Sequence, residues 1–324
     1  MNCTKIQIFF VMIITSILLP LCVILGIALI KTNHIHLIVY LSLCMVAYLI
    51  LYILYKSNPW EFTFQRLKLP PIILVTLVII TGLYRRGFSL SINQYDCWIE
   101  VINLLMIYIL CRIICKIHKA SKKPDNVLEI QFPFENGKYL ITDGGDGYIS
   151  ALMNYHYKSS THNQHRTQAS MRYAVDIAKL GTWGRTIARI IVCSKNADYA
   201  IFHEAIYSPI DGIVVKVQDG VNNNQPFPGK GKLPYNLGNF VVIKSVDYYI
   251  IMGHMEKESI MVREGDSIHI GDKIGMIGNS GLTPRPHLHI QVSRCTDGDY
   301  WAAEGVPIVF NQKFYPVKNR VIKV

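Results

Sequence analysis

The first 123 of the 324 residues are almost without negative charge: Glu61, Asp96 and Glu100 are the only acidic residues there, against twelve Lys and Arg. The remaining 21 basic and 19 acidic residues nearly cancel, so most of the formal net charge of +11 sits beside apolar runs. Basic residues so placed set membrane topology. They do not make a nucleic-acid-binding surface, and no nucleic-acid partner is expected. The eight cysteines lack any metal-type spacing. Cys111 and Cys115, four apart in a helical context, read as buried apolar side chains. Cys193 and Cys295 lie in the second half of the chain and bridge only in an oxidising compartment. Internal repeats and low-complexity segments are missing too. So is a small-residue cleavage site after the first apolar run, and Leu19-Pro20-Leu21-Cys22 is a poor acylation site. That run is therefore retained. Few ionisable residues interrupt the apolar runs, which argues against a transport route through them.

What the first third does have is hydrophobic length. Residues 6–30 form about 25 nearly unbroken apolar positions, enough to cross a hydrocarbon layer of roughly 30 Å. A second span is expected over 36–55 and a fourth over 98–115. The third, 72–84, is short, follows Pro70-Pro71 and ends at Arg85-Arg86; a re-entrant segment is its other reading. Trp60, Tyr84, Tyr95 and Trp98 sit near the expected ends, as interfacial aromatics do. The expectation for 1–123 is an α-helical transmembrane bundle of about four helices in a lipid bilayer. Lys116, Lys119, Lys122 and Lys123 come after the last span and, by the charge rule, keep the C-terminal part of the chain in the cytoplasm.

Pro124 marks a boundary. Beyond it, short apolar segments alternate with glycine and asparagine, as at Gly212 to Val217, Asn239 to Lys244 and Tyr248 to Met252. Bounded by turn residues, they read as strands. An all-β antiparallel sandwich domain is expected over 124–324, with its core at about 132–292. The segment 219–238, rich in Asn, Gly and Pro, reads as a surface loop.

The strongest local signal is Pro286-His287-Leu288-His289-Ile290-Gln291-Val292. In a strand, residues two apart share a face, so His287 and His289 look into one space. Neutral imidazole is a common zinc ligand, though paired surface histidines are the plain alternative. The surroundings add weight: Tyr207-Ser208-Pro209-Ile210-Asp211-Gly212, Gly238-Asn239, Gly253-His254-Met255 and the glycine-punctuated run from Gly265 to Gly281. This ordered series closely resembles the lysostaphin/LytM-type zinc metallopeptidases that cut bacterial peptidoglycan, over roughly residues 132–292. The resemblance implies zinc as cofactor, a peptidoglycan peptide as substrate, His289 and Asp176 as metal ligands, and His254 and His287 as the catalytic pair flanking the metal and the substrate carbonyl.

The sequence departs from that family at one point. The usual H-x-x-x-D motif has Arg172 in place of its histidine, four residues before Asp176, and a guanidinium offers no lone pair to a metal. The segment from Asn154-Tyr155-His156-Tyr157 to Arg172-Tyr173-Ala174-Val175-Asp176 resembles a branch with an N-x-H element, which makes His156 the first choice for the replacement ligand and His165 the second. Loss of the metal is the competing explanation. His203 and His269 read as exposed polar residues, and Trp183 and Tyr235 as candidate stacking surfaces for a sugar or peptide.

The leading expectation is a membrane-anchored zinc endopeptidase of peptidoglycan, multi-pass in a bacterial membrane. The catalytic reading overrides the charge rule and places its peptidase domain outside the cytoplasm. The alternative is a peptidoglycan-binding or regulatory domain of the same fold without turnover. A phosphocarrier with paired histidines fits less well, because it has no use for Asp176.

Overall fold

The computed structural model of the chain describes residues 14–30, 35–62, 68–85, 87–89, 91–158, 169–182, 184–187, 195–226 and 236–324. His162, His165, Trp183, Cys193 and Tyr235 lie outside the described residues, and with them the second-choice ligand and the Cys193–Cys295 pairing. The chain divides into two compact units, parting between Lys119 and Ala120.

The first unit is helical. A π-helical turn, Ile14–Leu18, runs into α1, Leu19–Leu29. It is followed by α2, Leu37–Ser57, α3, Pro70–Arg85, and α4, Gln94–Ser121, whose last residues pass into the second unit. Pro70 and Pro71 open α3, where a missing N–H costs nothing. Asn93 and Asp96 cap α4 reciprocally, each side chain accepting the other's backbone N–H. Ile24 and Ile27 of α1, Tyr40, Cys44, Ala47 and Leu51 of α2, and Val75 and Ile79 of α3 pack into one apolar cluster. Gly82 lets α3 approach α2, because a Cβ there would collide with the Tyr40 hydroxyl. Polar side chains tie α2 to α4: Asn103 Nδ2 donates to Ser42 Oγ at 2.8 Å, and Ser42 donates to Glu100 at 2.7 Å. Among the described residues, two helices, α2 and α4, are long and apolar enough to cross a membrane; the apolar stretches Ser16–Leu29 and Pro70–Tyr84 are shorter. Trp98, Val101, Ile102, Leu105 and Tyr108 leave one side of α4 covered with exposed apolar surface.

The second unit is β-rich. Its strands are β1 Leu128–Ile130, β2 Lys138–Asp143, β3 Val175–Lys179, β4 Ala205–Tyr207, β5 Gly212–Gln218, β6 Asn239–Ser245 and β7 Tyr248–Met255. Then come β8 Ser267–Ile268, β9 Lys273–Met276, β10 Leu288–Arg294, β11 Glu304–Gly305, β12 Ile308–Phe310 and β13 Val321–Lys323. Nine of them form one sheet in the order β13-β2-β3-β10-β7-β6-β5-β8, with β11 on the end of β10. All its pairings are antiparallel. The layering differs from two equal facing sheets: the companions are two-stranded, β4 with β9, and β1 with β12, and the latter pair is parallel. A parallel pair needs a long connection between its strands, and nearly the whole second unit lies between β1 and β12.

Alternation builds two faces. Val175 and Ile177 of β3, Ile250 and Met252 of β7, and Leu288, Ile290 and Val292 of β10 enter the main core with Phe132, Phe134 and Phe310. Ile206 of β4 and Ile274 of β9 close that core from the companion sheet. The intervening residues point the other way, where Tyr249 and Ile251 form a smaller cluster with Leu237 and Val242. That second face carries the candidate site.

Candidate metal centre

β10 lies between β3 and β7, and its register sets His289 opposite Asp176 on one side and Gly253 on the other. His289 and Asp176 occupy the face turned away from the main core, as period-two alternation requires. Asp176 Oδ1 lies 3.1 Å from His289 Nδ1 and 3.2 Å from His156 Nε2, and Asp176 Oδ2 lies 3.3 Å from His287 Nε2. Asp176 is 1% exposed, and the three histidines no more than 8%. One ligand atom each from His156, Asp176 and His289 fall within 4.8 Å of one another. The structure thus gathers the first-choice ligand set, with the two catalytic candidates beside it. His203 and His269 stand apart, exposed, beside Glu256 and Asp211.

His254 arrives by a different device. Between Val241↔Met252 and Asn239↔Met255, β7 uses one residue more than β6. This bulge contains His254, at φ 64°, a left-handed conformation that costs a non-glycine residue about 1–2 kcal/mol. Met255 returns to the core face, while the His254 ring lies 4.7 Å from His287 and 5.9 Å from His289, centroid to centroid. The glycines of the sequence series serve this placement. Gly238 and Gly281 both have positive φ and press together so closely that a Cβ on either would strike the other loop. The contact brings the Ser280 carbonyl to His254 Nδ1 at 2.8 Å.

Hydrogen bonds around the rings decide where each proton sits. Asn154 Nδ2 donates to the Gly145 and Ala174 carbonyls, which fixes its Oδ1 as an acceptor. His156 must therefore donate from Nδ1, at 2.8 Å. His287 Nδ1 donates to the Arg285 carbonyl at 2.9 Å, and His254 Nδ1 to that of Ser280. In β10 the Gln291 amide donates to Ser170 Oγ, whose hydroxyl donates to the Trp301 carbonyl. Gln291 Oε1 is then an acceptor, and His289 donates to it from Nε2 at 2.9 Å. Each neutral ring consequently turns an unprotonated nitrogen toward Asp176 or the space beside it. His156 Nε2, His289 Nδ1 and Asp176 Oδ1 are three lone-pair donors facing one another. Such an arrangement requires a shared cation or proton. Asp176 Oδ2 is buried and accepts no hydrogen bond, and one carboxylate with two imidazoles is a suitable donor set for zinc. The residues fit the metal.

Without a metal, the electrostatics follow from the same contacts. Burial opposes charge on His156, yet the Asp176 carboxylate beside it raises its pKa above 6.5. Burial likewise opposes charge on Asp176, but His156 and His287 hold its carboxyl well below the usual range. Burial and then the neighbouring His287 and His289 push His254 well below 6.5.

Arg172 takes no part in the cluster. Its fork donates to Asp146, Nε to Oδ1 at 3.0 Å and Nη2 to Oδ2 at 2.7 Å. Asn154, Gln291 and Ser280 are the supporting residues that reading for ligands does not single out. Gln291 carried a usable signal, standing two residues after His289 on the same strand face.

Residues 194–302 match peptidase family M23, and the second unit holds a domain of that family. The match takes in His254, His287 and His289 and begins after His156 and Asp176. Among proteins of similar sequence, an uncharacterized metalloprotease of Buchnera aphidicola is 34% identical over 84 residues, 26% of this chain and 20% of that protein. The peptidoglycan DD-endopeptidase ShyA of Vibrio cholerae is 30% identical over 87 residues, 27% of this chain and 17% of its own length. The chain thus spans no more than a fifth of the curated relatives it matches. Among solved structures, a variant catalytic domain of the prophage-encoded M23 protein EnpA from Enterococcus faecalis is 18% identical, covering 54% of this chain and 92% of that one at a TM-score of 0.31. The catalytic domain of lysostaphin from Staphylococcus simulans is also 18% identical, covering 35% and 80% at a TM-score of 0.24.

Proposed function

We propose that the protein is a membrane-anchored zinc endopeptidase that hydrolyses peptide bonds in bacterial peptidoglycan. The observation that carries this reading is the convergence of three lone-pair donors, His156 Nε2, Asp176 Oδ1 and His289 Nδ1, on one buried point. His156, Asp176 and His289 would hold zinc there, and the metal would supply Lewis acidity toward the scissile carbonyl and toward water, whose pKa zinc lowers to about 7. His254 is neutral at pH 7 because its pKa is depressed, and its Nε2 lone pair accepts the proton of the attacking water and returns it to the leaving amine. His287, whose Nε2 faces the same space 3.3 Å from Asp176 Oδ2, flanks the scissile carbonyl, and a proton received at that nitrogen gives it the N–H that it donates to the carbonyl oxygen as negative charge develops there. Asn154 and Gln291 hold the ligand rings in the tautomers that leave the metal-facing nitrogens free.

The apolar helices of the first unit supply the anchor, and the four-span, multi-pass arrangement with an extracytoplasmic peptidase domain is part of the same proposal. ShyA is named for action on peptidoglycan, which supports an envelope location and this substrate.

The test uses the full chain purified in detergent. One zinc per chain, lost in His156→Ala, together with cleavage of muropeptide cross-links, is the expected result. A folded native chain that takes up no zinc yet binds muropeptides would instead favour a binding domain without turnover, the reading to which Arg172 points.

A further inference from the structure

We infer that Arg172 and Asp146 form a clamp that positions His156, so that the residue standing where the family has its histidine supports the histidine that replaces it. This rests on the zinc site proposed above.

His156 lies at the end of a loop that leaves β2 after Asp143. The loop closes on itself through Gly144 N–H to the Met153 carbonyl at 3.2 Å and Asn154 N–H to the Ser150 carbonyl at 3.1 Å. Within it, Asp146 accepts the two-pronged bond from Arg172, a further bond from the Tyr173 hydroxyl at 3.2 Å, and the Tyr148 N–H at 3.0 Å. The Asp146 carboxylate is 7% exposed. Gly147 N–H donates to the Arg172 carbonyl at 2.9 Å. A Cβ on Gly147 would meet the Asn154 and Arg172 carbonyls at 3.0 and 3.2 Å, so the loop lies flush against residues 172–174. Asn154 completes the join through the Ala174 carbonyl and passes it to His156.

The geometry explains why the arginine is used. A replacement ligand on a loop needs its backbone fixed relative to Asp176, which stands on β3. Residues 172–174 run directly into that strand, so a bond from Arg172 to Asp146 places His156 and Asp176 in one frame. A planar guanidinium meets a carboxylate with two parallel bonds and fixes direction as well as distance; a lysine would supply charge alone. The guanidinium also lies 5.2 Å from the Tyr148 ring and 4.9 Å from that of Tyr173, which holds it in place. Arg172 is thus a positioning residue.

The experiment measures zinc affinity of the full chain in detergent by chelator competition, with the thermal midpoint of the zinc-free form as a separate readout. Arg172→Leu and Asp146→Asn are expected to bind zinc roughly 10–100-fold more weakly, the usual effect of losing a supporting residue. Arg172→Lys falls between, and keeps the test valid where Arg172→Leu does not fold. Exchange of the two charges, Arg172→Asp with Asp146→Arg, restores part of the affinity. Native zinc affinity in folded Arg172→Lys and Asp146→Asn overturns the clamp, whatever happens to their thermal midpoints. Native affinity in His156→Ala, or no zinc in the wild-type chain, overturns the site and the clamp together.

Discussion

Asp176 and His289 are direct cross-strand partners on β3 and β10, with Asp176 Oδ1 3.1 Å from His289 Nδ1. Their pairing is a property of the sheet register, and a slip of β10 by one residue would turn His289 into the main core and away from Asp176. The two proposed ligands are therefore as rigid as the sheet, and substituting either should remove metal without unfolding the domain. His289→Ala and Asp176→Ala are each expected to lose zinc and all hydrolysis of muropeptides while keeping the native circular dichroism spectrum. Zinc retained in either would contradict their assignment.

Proton release reports the same site. The raised pKa of His156 means that its charged form stabilises the metal-free fold fully below pH 6.5, and this contribution is lost as pH rises through the folded value. Asp176 has the opposite sign: its contribution is complete above 3.8 and is lost as pH falls toward its depressed folded value. Zinc needs the lone pair that the His156 proton occupies, so binding at any pH below the raised folded pKa of His156 must expel that proton. Calorimetry in buffers of differing protonation enthalpy should show protons released on zinc binding. Zinc affinity should fall with acidification. Affinity independent of pH between about 6 and 8 would rule this coupling out.

Much of this site is legible in the amino-acid sequence, and the reason is physical. His287 and His289 are two apart on one strand, so alternation alone puts them on a shared face, and the glycines from Gly265 to Gly281 announce the turns that lead to them. The strands expected at Gly212, Asn239 and Tyr248 appear, each running one to three residues further than the apolar pattern. The bulge at His254 is not legible, because nothing in Gly253-His254-Met255 marks an extra residue in β7. Nor is the parallel β1–β12 pair, which joins segments about 180 residues apart by a register that local patterning does not encode. Arg172 reads as a lost ligand; its bond to Asp146 is a tertiary contact between a loop and the approach to β3, invisible to spacing.

The residues that hold the ligand rings should matter nearly as much as the ligands. Gln291→Leu removes the acceptor for His289 Nε2–H and the bond that the Gln291 amide donates to Ser170 Oγ. It frees the ring to take the other tautomer, with its proton toward the metal. A loss of roughly 10–100-fold in zinc affinity is expected by equilibrium dialysis, against none for the exposed His269→Ala. Equal affinities in the two variants would reduce Gln291 to a packing residue.

The placement of the second unit is open to a labelling experiment. Cys295 is a partly exposed free thiol. With the other seven cysteines replaced by serine or alanine, a membrane-impermeant maleimide should modify Cys295 in intact cells, as an extracytoplasmic peptidase domain requires. Modification only after lysis would vindicate the lysines from Lys116 to Lys123 and place the domain in the cytoplasm.

His254 offers the sharpest separation of catalysis from stability. Its ring is buried against His287 and Ser280, but its backbone sits at φ 64°. His254→Ala and His254→Gly delete the same ring and leave nearly the same space, yet only alanine keeps the penalty of the left-handed backbone. Glycine should therefore give the more stable variant by about 1 kcal/mol, read from denaturant unfolding of the zinc-loaded chain in detergent. Both should retain zinc, since His254 lies outside the three-donor cluster, and both should lose roughly 100-fold or more in kcat with the proton acceptor gone. Equal stability would mean that the bulge relaxes once the ring is removed, and that the ring, held by the Ser280 carbonyl, is what keeps the extra residue in β7.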